Sequence, residues 1–496
     1  MTFLDGSNPF QHRDSWLLLG ICGAGMRSLC EHLTGLGISV IGSDRDASGM
    51  ELIRRLQLPR LTLVDWDYLQ HKELPRVSTV VHSVAVDRQS SLVRRFLSQN
   101  LRVFNLPEAL SAQFSHLPQY CVAGTHGKST TTGMLWWILH QAGHSVARFV
   151  GAEFQGEHSG PGPAGSPAGP FDSAVIEACE YRDSFVTLSP GLCVLTGVEQ
   201  DHFDWFDDMA AAEAGFRRFL NRIPVGGGLI YSADCEVSRR LAGGLSGIRC
   251  VSWSEQPGRG DWHLRADSGQ QGDRRGGLSG RTGDIITAGR LISVGDKIEY
   301  SFQLRVAGVH NLRNAAGAIL AAVELGVAGP VAARHLATFG GMRRRLEHRG
   351  MWRGVDLIDD YAHHPTAVAC ALRTVRELYP GRRILAVFEP HQMSRTVRLF
   401  EEFAAALALA DCVFVLPVLP AREVAGADAL LALSNRLVDR ILKTGGQAKL
   451  IGNLDHSTGT LEDAARVGDV IITMGAGRTN LIHDEIHRKL YRDSAA

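Results

Sequence analysis

The chain has 496 residues, 45% of them hydrophobic and 21% charged, an ordinary globular composition with length for roughly two to four domains. Lys plus Arg equals Asp plus Glu at 52 each, so no overall field favours nucleic acid or an acidic membrane. The nine cysteines are scattered without a C-x-x-C pair, no apolar run reaches membrane-spanning length and no basic-then-apolar start marks a signal peptide, so a reduced cytoplasmic protein is expected.

In chain order, "SWLLLGICGAGMRSLCEHLTGLGISVIGSD" comes first. An apolar run, a glycine turn, a helical stretch and a second apolar run ending at Asp44 make a βαβ unit. Its turn nearly fits G-x-G-x-x-G through Gly20, Gly23 and Gly25, but Cys22 stands where a glycine would let the backbone approach a pyrophosphate. Asp44 is placed to meet a ribose hydroxyl. Alone, the turn fits a dinucleotide site or an ordinary α/β connection equally. "VSTVVHSVAV" and "LRVFN" read as further buried strands.

A second segment opens at "YCVAGTHGK". The loop Gly124-Thr125-His126-Gly127-Lys128-Ser129 is a clipped form of the phosphate pattern G-x-x-x-x-G-K-[ST]. A glycine turn entering a helix aims N–H groups and the positive dipole end at a phosphate. Lys128 adds a mobile charge, and Ser129 or Thr130 a hydroxyl for Mg²⁺. "SAVIEACE" and "GLCVLTGVE" read as buried strands, with "QGEHSGPGPAGSPAGPF" a flexible loop between them. A polar tract from about Glu255 to Asp284 reads as a mobile excursion beside short alternating strands such as "KIEYSFQLRV". An Ala-rich helix, "GVHNLRNAAGAILAAVELGV", closes the segment. Glu177, Glu180, Asp201, His202 and Asp204 follow strands and are metal candidates, because hard carboxylate oxygens suit Mg²⁺ and imidazole adds a ligand. Any one such acid is more often a cap or a solvated loop residue, and the cluster counts only because a phosphate loop needs a metal.

The third segment follows "FGGMRRRLEHRG". Strands "VDLIDD", "RILAVFEP", "DCVFVLPV", "AKLIG" and "DVIITMGAG" alternate with helices such as "AVACALRTVRELY" and "RTVRLFEEFAAALALA". That alternation predicts a mostly parallel sheet covered on both faces, with ligands at its carboxyl ends. Asp359, Asp360, Tyr361, His363 and His364 crowd one strand end, and His391 and Arg395 another.

Together these motifs resemble the Mur ligases, three-domain ATP-dependent amide-forming enzymes of peptidoglycan synthesis. The likeness runs from about Leu17 to Gly477 through "GICGAGM" with "GSD", "GTHGKSTTT", "EACEYRDSF", "DHFDWF", "GVHNLRNA", "FGGMRRRLE", "DDYAHHPT", "FEPHQMSRT" and "TMGAG". It implies an α/β fold of three domains. Residues 1–116 would form a Rossmann-like UDP-sugar domain, 117–340 a P-loop ATPase-like domain holding ATP and Mg²⁺, and 341–496 a Rossmann-like amino-acid domain built on a parallel sheet. The implied reaction joins L-alanine to the lactyl carboxylate of UDP-N-acetylmuramate through an acyl phosphate. A cytoplasmic monomer or weak homodimer is implied, with no nucleic-acid or membrane partner.

Carried onto this sequence, the resemblance gives the UDP-sugar to Gly20, Gly23, Gly25, Met26 and Asp44. ATP falls to Gly124, Thr125, His126, Gly127, Lys128, Ser129 and Thr130, with His310, Asn311 and Asn314 toward adenine and Asp360 and Tyr361 near ribose. Ser129, Glu177 and His202 take the metal ions. Lys128, Arg345 and His202 are the implied catalytic residues, Arg345 steadying the transferring phosphate. His363, His391, Gln392 and Arg395 surround the amino acid. Three positions depart from the family pattern: Cys22 for glycine, Gly197 in the usually polar pair before "DH", and Gln392 where alanine-adding members commonly have Arg. A ligase that recycles a ready-made tripeptide, an NAD-dependent oxidoreductase and a non-catalytic nucleotide-binding protein remain open alternatives.

Overall fold

Apolar runs that are buried on both faces set the architecture. The structure, a computed structural model, describes residues 15–55, 57–71, 77–155, 171–267, 287–421, 423–454 and 457–493. The chain divides into two units, Met1–Val198 with Ala210–Trp253 and Gly317–Ala328, and Glu199–Met209 with Ser254–Ala316 and Gly329–Ala496.

In the first unit Leu17, Leu18 and Leu19 are wholly buried because strand Ser15–Leu19 lies mid-sheet. The five parallel strands run in the order Leu61–Leu63, Val40–Ser43, Ser15–Leu19, Val77–His82, Arg102–Asn105. The strand order reverses beside Ser15–Leu19, which puts the Gly20–Gly25 turn at a topological switch point. Helix Leu106–Phe114 follows the last strand and begins with a capping box: Asn105 accepts from the Glu108 N–H at 2.9 Å, and Glu108 accepts from the Asn105 N–H at 2.8 Å.

A second set of parallel strands runs Val146–Phe149, Ser173–Glu177, Gln119–Ala123, Pro190–Leu195, Gly228–Ser232, Arg249–Ser254. Helix Lys128–Gln141 leaves its middle and is buried without a break from Ser129 to Leu139, as a helix apolar on all sides must be. Cys121 and Cys193 are register partners on neighbouring strands, both reduced and sealed from solvent.

The second unit holds an antiparallel meander, Trp262–Ala266, Thr287–Ser293 and Glu299–Leu304. Its main sheet runs Glu347–Trp352, Val355–Asp360, Val470–Met474, Ile384–Phe388, Cys412–Val415, Ala448–Leu450, parallel except for the first strand. Leu372, Val375, Phe403, Leu407 and Leu437 cover one face, and Leu461, Ile482 and Ile486 the other. The α/β fold with helix-covered parallel sheets is as expected. No helix among the described residues is long and apolar enough to cross a membrane.

Local expectations fail in three places. "RTVRLFEEFAAALALA" forms two helices, Met393–Arg398 and Phe400–Leu407, broken at Leu399 (φ −107°, ψ 29°). The first piece buries Arg395 and Thr396, the second Phe403 and Leu407. The tract expected to be an excursion contains strand Trp262–Ala266, anchored by buried Leu264; residues 268–286 lie outside the described residues, as do 156–170 of the expected glycine-proline loop. Strands Leu61–Leu63, Val146–Phe149, Gly228–Ser232 and Arg249–Ser254 were not expected.

Replacing Asn105 by Ala removes the capping box and should cost about 1 kcal/mol. Urea unfolding of the full chain checks this, with the midpoint moving and the slope unchanged.

Candidate functional site

In the first unit the candidate site forms where adjacent parallel strands end. Strand Gln119–Ala123 runs into Gly124 at φ 131°, where an added Cβ would strike the Thr196 hydroxyl. Gly197, at the end of the neighbouring strand, has φ 149°, and its carbonyl accepts from the Thr125 N–H at 2.9 Å. Glycine at both positions lets the two backbones touch. The departure at Gly197 therefore has a backbone reason. Thr196 Oγ1 clamps the loop at 2.6 Å from the His126 carbonyl. Gly127, at φ 80°, starts helix Lys128–Gln141 without a side-chain cap, so the N–H groups of Lys128, Ser129 and Thr130 have no partner within the helix.

Lys128 Nζ lies 2.9 Å from Glu180 Oε2 and 3.1 Å from the Thr125 carbonyl, and also meets that of Gly124. Burial works against its charge, but Glu180, then the neighbouring Cys179 and Glu177, outweigh it and raise its pKa. Lys128 is thus a firmly charged ammonium. Glu180, expected as a metal ligand, is spent on this pair and is 3% exposed. Ser129 Oγ donates to Glu177 Oε1 at 3.0 Å, while Glu177 Oε2 accepts from the Gly151 N–H at 2.6 Å. A hydroxyl and a carboxylate facing one point are the hard donor set a cation such as Mg²⁺ takes, so these two residues fit the ion expected of them.

At the N-terminal turn Gly20 has φ 85°. Both Asp44 oxygens serve the turn itself, accepting from the Cys22 N–H at 2.9 Å and the Asp46 N–H at 3.0 Å. Gly23 precedes helix Ala24–Gly35. A Cβ on Gly25 would press Leu106 at 2.8 Å, so that glycine serves packing. The Met26 side chain is 1% exposed, which leaves its first-turn N–H as the group it can offer a ligand.

The second unit carries the remaining residues. Asp360 accepts from the N–H groups of Leu346 at 2.8 Å and Ala362 at 2.7 Å. Burial raises its pKa against the pull of Arg345. The Arg344 and Arg345 guanidinium carbons stand 4.9 and 5.2 Å from the Tyr361 ring centre. Asn311 Nδ2 donates to the Ala307 carbonyl at 2.7 Å, and Asn314 Nδ2 to Asn311 Oδ1 at 2.9 Å, which locks the two amides. His310 is held neutral, its pKa lowered to about 4 by burial and then by Arg313 and Arg345.

His363, His391 and Arg395 are brought together. The two imidazoles are 5.8 Å apart at 66°. Burial, then Arg395 and His391, push the His363 pKa well down. Its Nδ1 lies 2.8 Å from the Tyr361 carbonyl and must carry the proton, which leaves Nε2 an acceptor. Arg395 is 2% exposed and grips Asp201 through Nε at 2.8 Å and Nη2 at 2.7 Å, with Nη1 3.2 Å from the His391 carbonyl. Asp201 is therefore an arginine partner through Oδ1. His202 follows it with φ 54°, its N–H donating to Asp201 at 2.7 Å. Gln392 is 1% exposed, with φ 70° and its amide nitrogen 3.5 Å from Asp204. The lysine-holding role of Glu180 and the clamp at Thr196 were missed, since no local pattern marks either.

These features define a multidomain α/β enzyme with a shortened phosphate loop. Residues 122–322 match the Mur ligase middle domain, and residues 344–477 match the family described as Mur ligase, glutamate ligase domain. The chain is 37% identical to the UDP-N-acetylmuramate–L-alanine ligase of Kineococcus radiotolerans, over 95% of this chain and 94% of that protein. It shares the fold of the UDP-N-acetylmuramate–alanine ligase from Thermotoga maritima, at TM-score 0.74 and 22% identity over 97% of this chain and 100% of that one. A murein peptide ligase from Psychrobacter arcticus superposes at TM-score 0.70 with 25% identity, over 96% and 98% of the two chains. The chain belongs to the Mur ligase family.

Asp201→Asn should cost roughly 3–5 kcal/mol, because it leaves Arg395 buried beside a neutral amide. Burial opposes the Asp201 charge, but Arg395 and then nearby histidines hold its pKa far below the usual carboxylate range. The pair's stabilisation is thus fully present above pH ~4 and fades as pH falls below that unfolded-chain value. Denaturant midpoints from pH 7 down to pH 3 should fall more steeply for the wild type than for the variant.

Proposed function

We propose that the chain joins L-alanine to the lactyl carboxylate of UDP-N-acetylmuramate, using ATP and Mg²⁺, in peptidoglycan precursor synthesis. The observation that carries this reading is the nearly end-to-end match, at 37% identity, to a relative bearing that name. The buried, charged Lys128 beside the Ser129–Glu177 pair supports it.

A carboxylate resists an amine because its charge is spread over two oxygens. Transfer of the ATP γ-phosphoryl group to one of them gives an acyl phosphate and ADP. The alanine amine then attacks the acyl carbon, and inorganic phosphate leaves with the C–O electron pair. Phosphoryl transfer of this kind is governed by alignment and charge neutralisation. Lys128 supplies a fixed positive charge at the loop. Ser129 and Glu177 would hold the magnesium, which neutralises phosphate charge, and His202 is assigned a second metal contact. Arg345 offsets charge on the transferring phosphate. His310, Asn311, Asn314, Asp360 and Tyr361 take the nucleoside. Neutral His363, with His391, Gln392 and Arg395, frames the amino acid, its Nε2 accepting from the alanine amine. Gly20, Gly23, Gly25, Met26 and Asp44 take the UDP end. The sub-sites follow the division 1–116, 117–340 and 341–496.

Addition of a preformed tripeptide is the second reading, favoured by the likeness to a murein peptide ligase. Phosphate release and product mass with L-alanine or tripeptide offered in parallel separate the two, and L-alanine should be the better acceptor. Lys128→Ala should keep the native circular dichroism and lose at least ~100-fold in kcat, about the 3 kcal/mol of one preorganised contact. With an ¹⁸O-labelled lactyl carboxylate, label should appear in the released phosphate; unlabelled phosphate would exclude the acyl phosphate.

A further inference from the structure

The turn that presents Arg345, just before strand Glu347–Trp352, is bent in a way its own sequence does not favour. Arg344 and Leu346, the residues on either side, both have left-handed backbones, at φ 57° and 50°. Neither is glycine, and such geometry persists only where surrounding contacts over-determine it. Those contacts converge on Arg344. Its N–H donates to Glu347 at 2.9 Å and its carbonyl accepts from the Tyr361 N–H at 2.7 Å. Its guanidinium donates to the carbonyls of Gly477 at 2.9 Å and Gly475 at 2.7 Å, the turn that ends strand Val470–Met474. Its Nε forms an ion pair with Asp359 at 3.3 Å.

Behind Asp359 runs a sealed polar chain. Asp359, Thr473 and His483 are each 0% exposed, and Asp359 and Thr473 are register partners on neighbouring strands. Thr473 Oγ1 lies 2.8 Å from Asp359 Oδ1 and 2.7 Å from His483 Nε2. A hydroxyl has one proton and a carboxylate only accepts, so Thr473 donates to Asp359 and His483 Nε2–H donates to Thr473. Burial lowers the His483 pKa to about 3, so the ring is neutral and the chain runs one way, imidazole to hydroxyl to carboxylate, with the Arg344 guanidinium facing the same carboxylate from the other side as an ion pair. Replacement of a buried ionic group by apolar residues of similar volume is often neutral for stability. What a buried ionic chain adds is a unique arrangement.

We propose that Arg344, oriented by the Asp359–Thr473–His483 chain, is the positioning residue that sets Arg345 and the Gly475–Gly477 turn for the ligation step. The inference rests on the proposed function. Groups facing Asp359 are Arg344 on the turn, Glu347 on the antiparallel neighbouring strand, Asp360 on its own strand, Thr473 on the parallel neighbouring strand and His483 on helix Leu481–Asp493. Burial pushes the Asp359 pKa up to about 6, against the pull of Arg344 and the Thr473 hydrogen bond. The ion pair through which Asp359 orients Arg344 is present only while Asp359 is ionised, so kcat should fall as pH drops through 6.

The test uses the full chain, phosphate release with UDP-N-acetylmuramate, ATP and L-alanine, and the isosteric variant Thr473→Val. Its kcat should fall roughly tenfold to a hundredfold, its KM for ATP should stay within about twofold, and the acid limb of its pH profile should move upward. Thr473→Ser should restore all three readouts. Wild-type kcat and an unmoved profile in Thr473→Val would overturn the proposal. Should Thr473→Val lose its circular dichroism, His483→Leu against His483→Gln decides the matter, since only Gln keeps a donor. The His483 tautomer, read by ¹⁵N NMR in the wild type, tests the chain without substrate; an Nδ1-protonated ring would overturn it. A wild type that releases no phosphate with these substrates refutes the proposed function and leaves that tautomer test standing.

Discussion

A lysine ammonium taken out of water must find an anion or lose its proton. Lys128 finds Glu180, and the first unit is arranged so that it can. Strand Gln119–Ala123 delivers the loop and its lysine, strand Ser173–Glu177 delivers Glu177 and then Glu180, and strand Pro190–Leu195 delivers Thr196 and Gly197. Parallel pairing brings all three carboxyl ends to one edge, so residues dozens of positions apart share a few ångströms. The Ser129–Glu177 pair beside the lysine follows from the same pairing.

The second unit uses arginine for the same purpose. Arg395 closes on Asp201 and Arg344 on Asp359, both away from water. A planar guanidinium meets a carboxylate and backbone carbonyls in a fixed fork geometry, where a lysine acts as a compact point charge, and each arginine here meets both. Replacing both partners of such a pair by apolar groups is often neutral, whereas losing one of them strands the other charge out of water. These pairs fix the strand ends on which Asp360, Tyr361, His363 and His391 stand.

What could be read in advance follows the range of the interaction. The loop from Gly124 to Ser129 was legible because its chemistry is local: glycines, lysine and hydroxyl in one turn. The long buried strands were legible as apolar runs. Leu61–Leu63 and Ala448–Leu450 are short edge strands with little buried surface; only the second was expected, from its neighbours' alternation. The break at Leu399 left no mark, since every residue around it tolerates a helix. The grip of Arg395 on Asp201 spans 194 positions, and nothing near either residue announces it. For the same reason the cationic partners of Asp201 and Glu180 could not be read from the strand ends that these acids follow.

The reduced pair in the middle of the phosphate-loop sheet has a practical corollary. Cys121 and Cys193 face each other across neighbouring strands, yet no oxidant can reach them while the sheet is closed. In the unfolded chain the same thiols are open to random cross-linking with seven others. The hazard therefore lies in synthesis and refolding rather than in storage, and reductant matters most before the strands have paired.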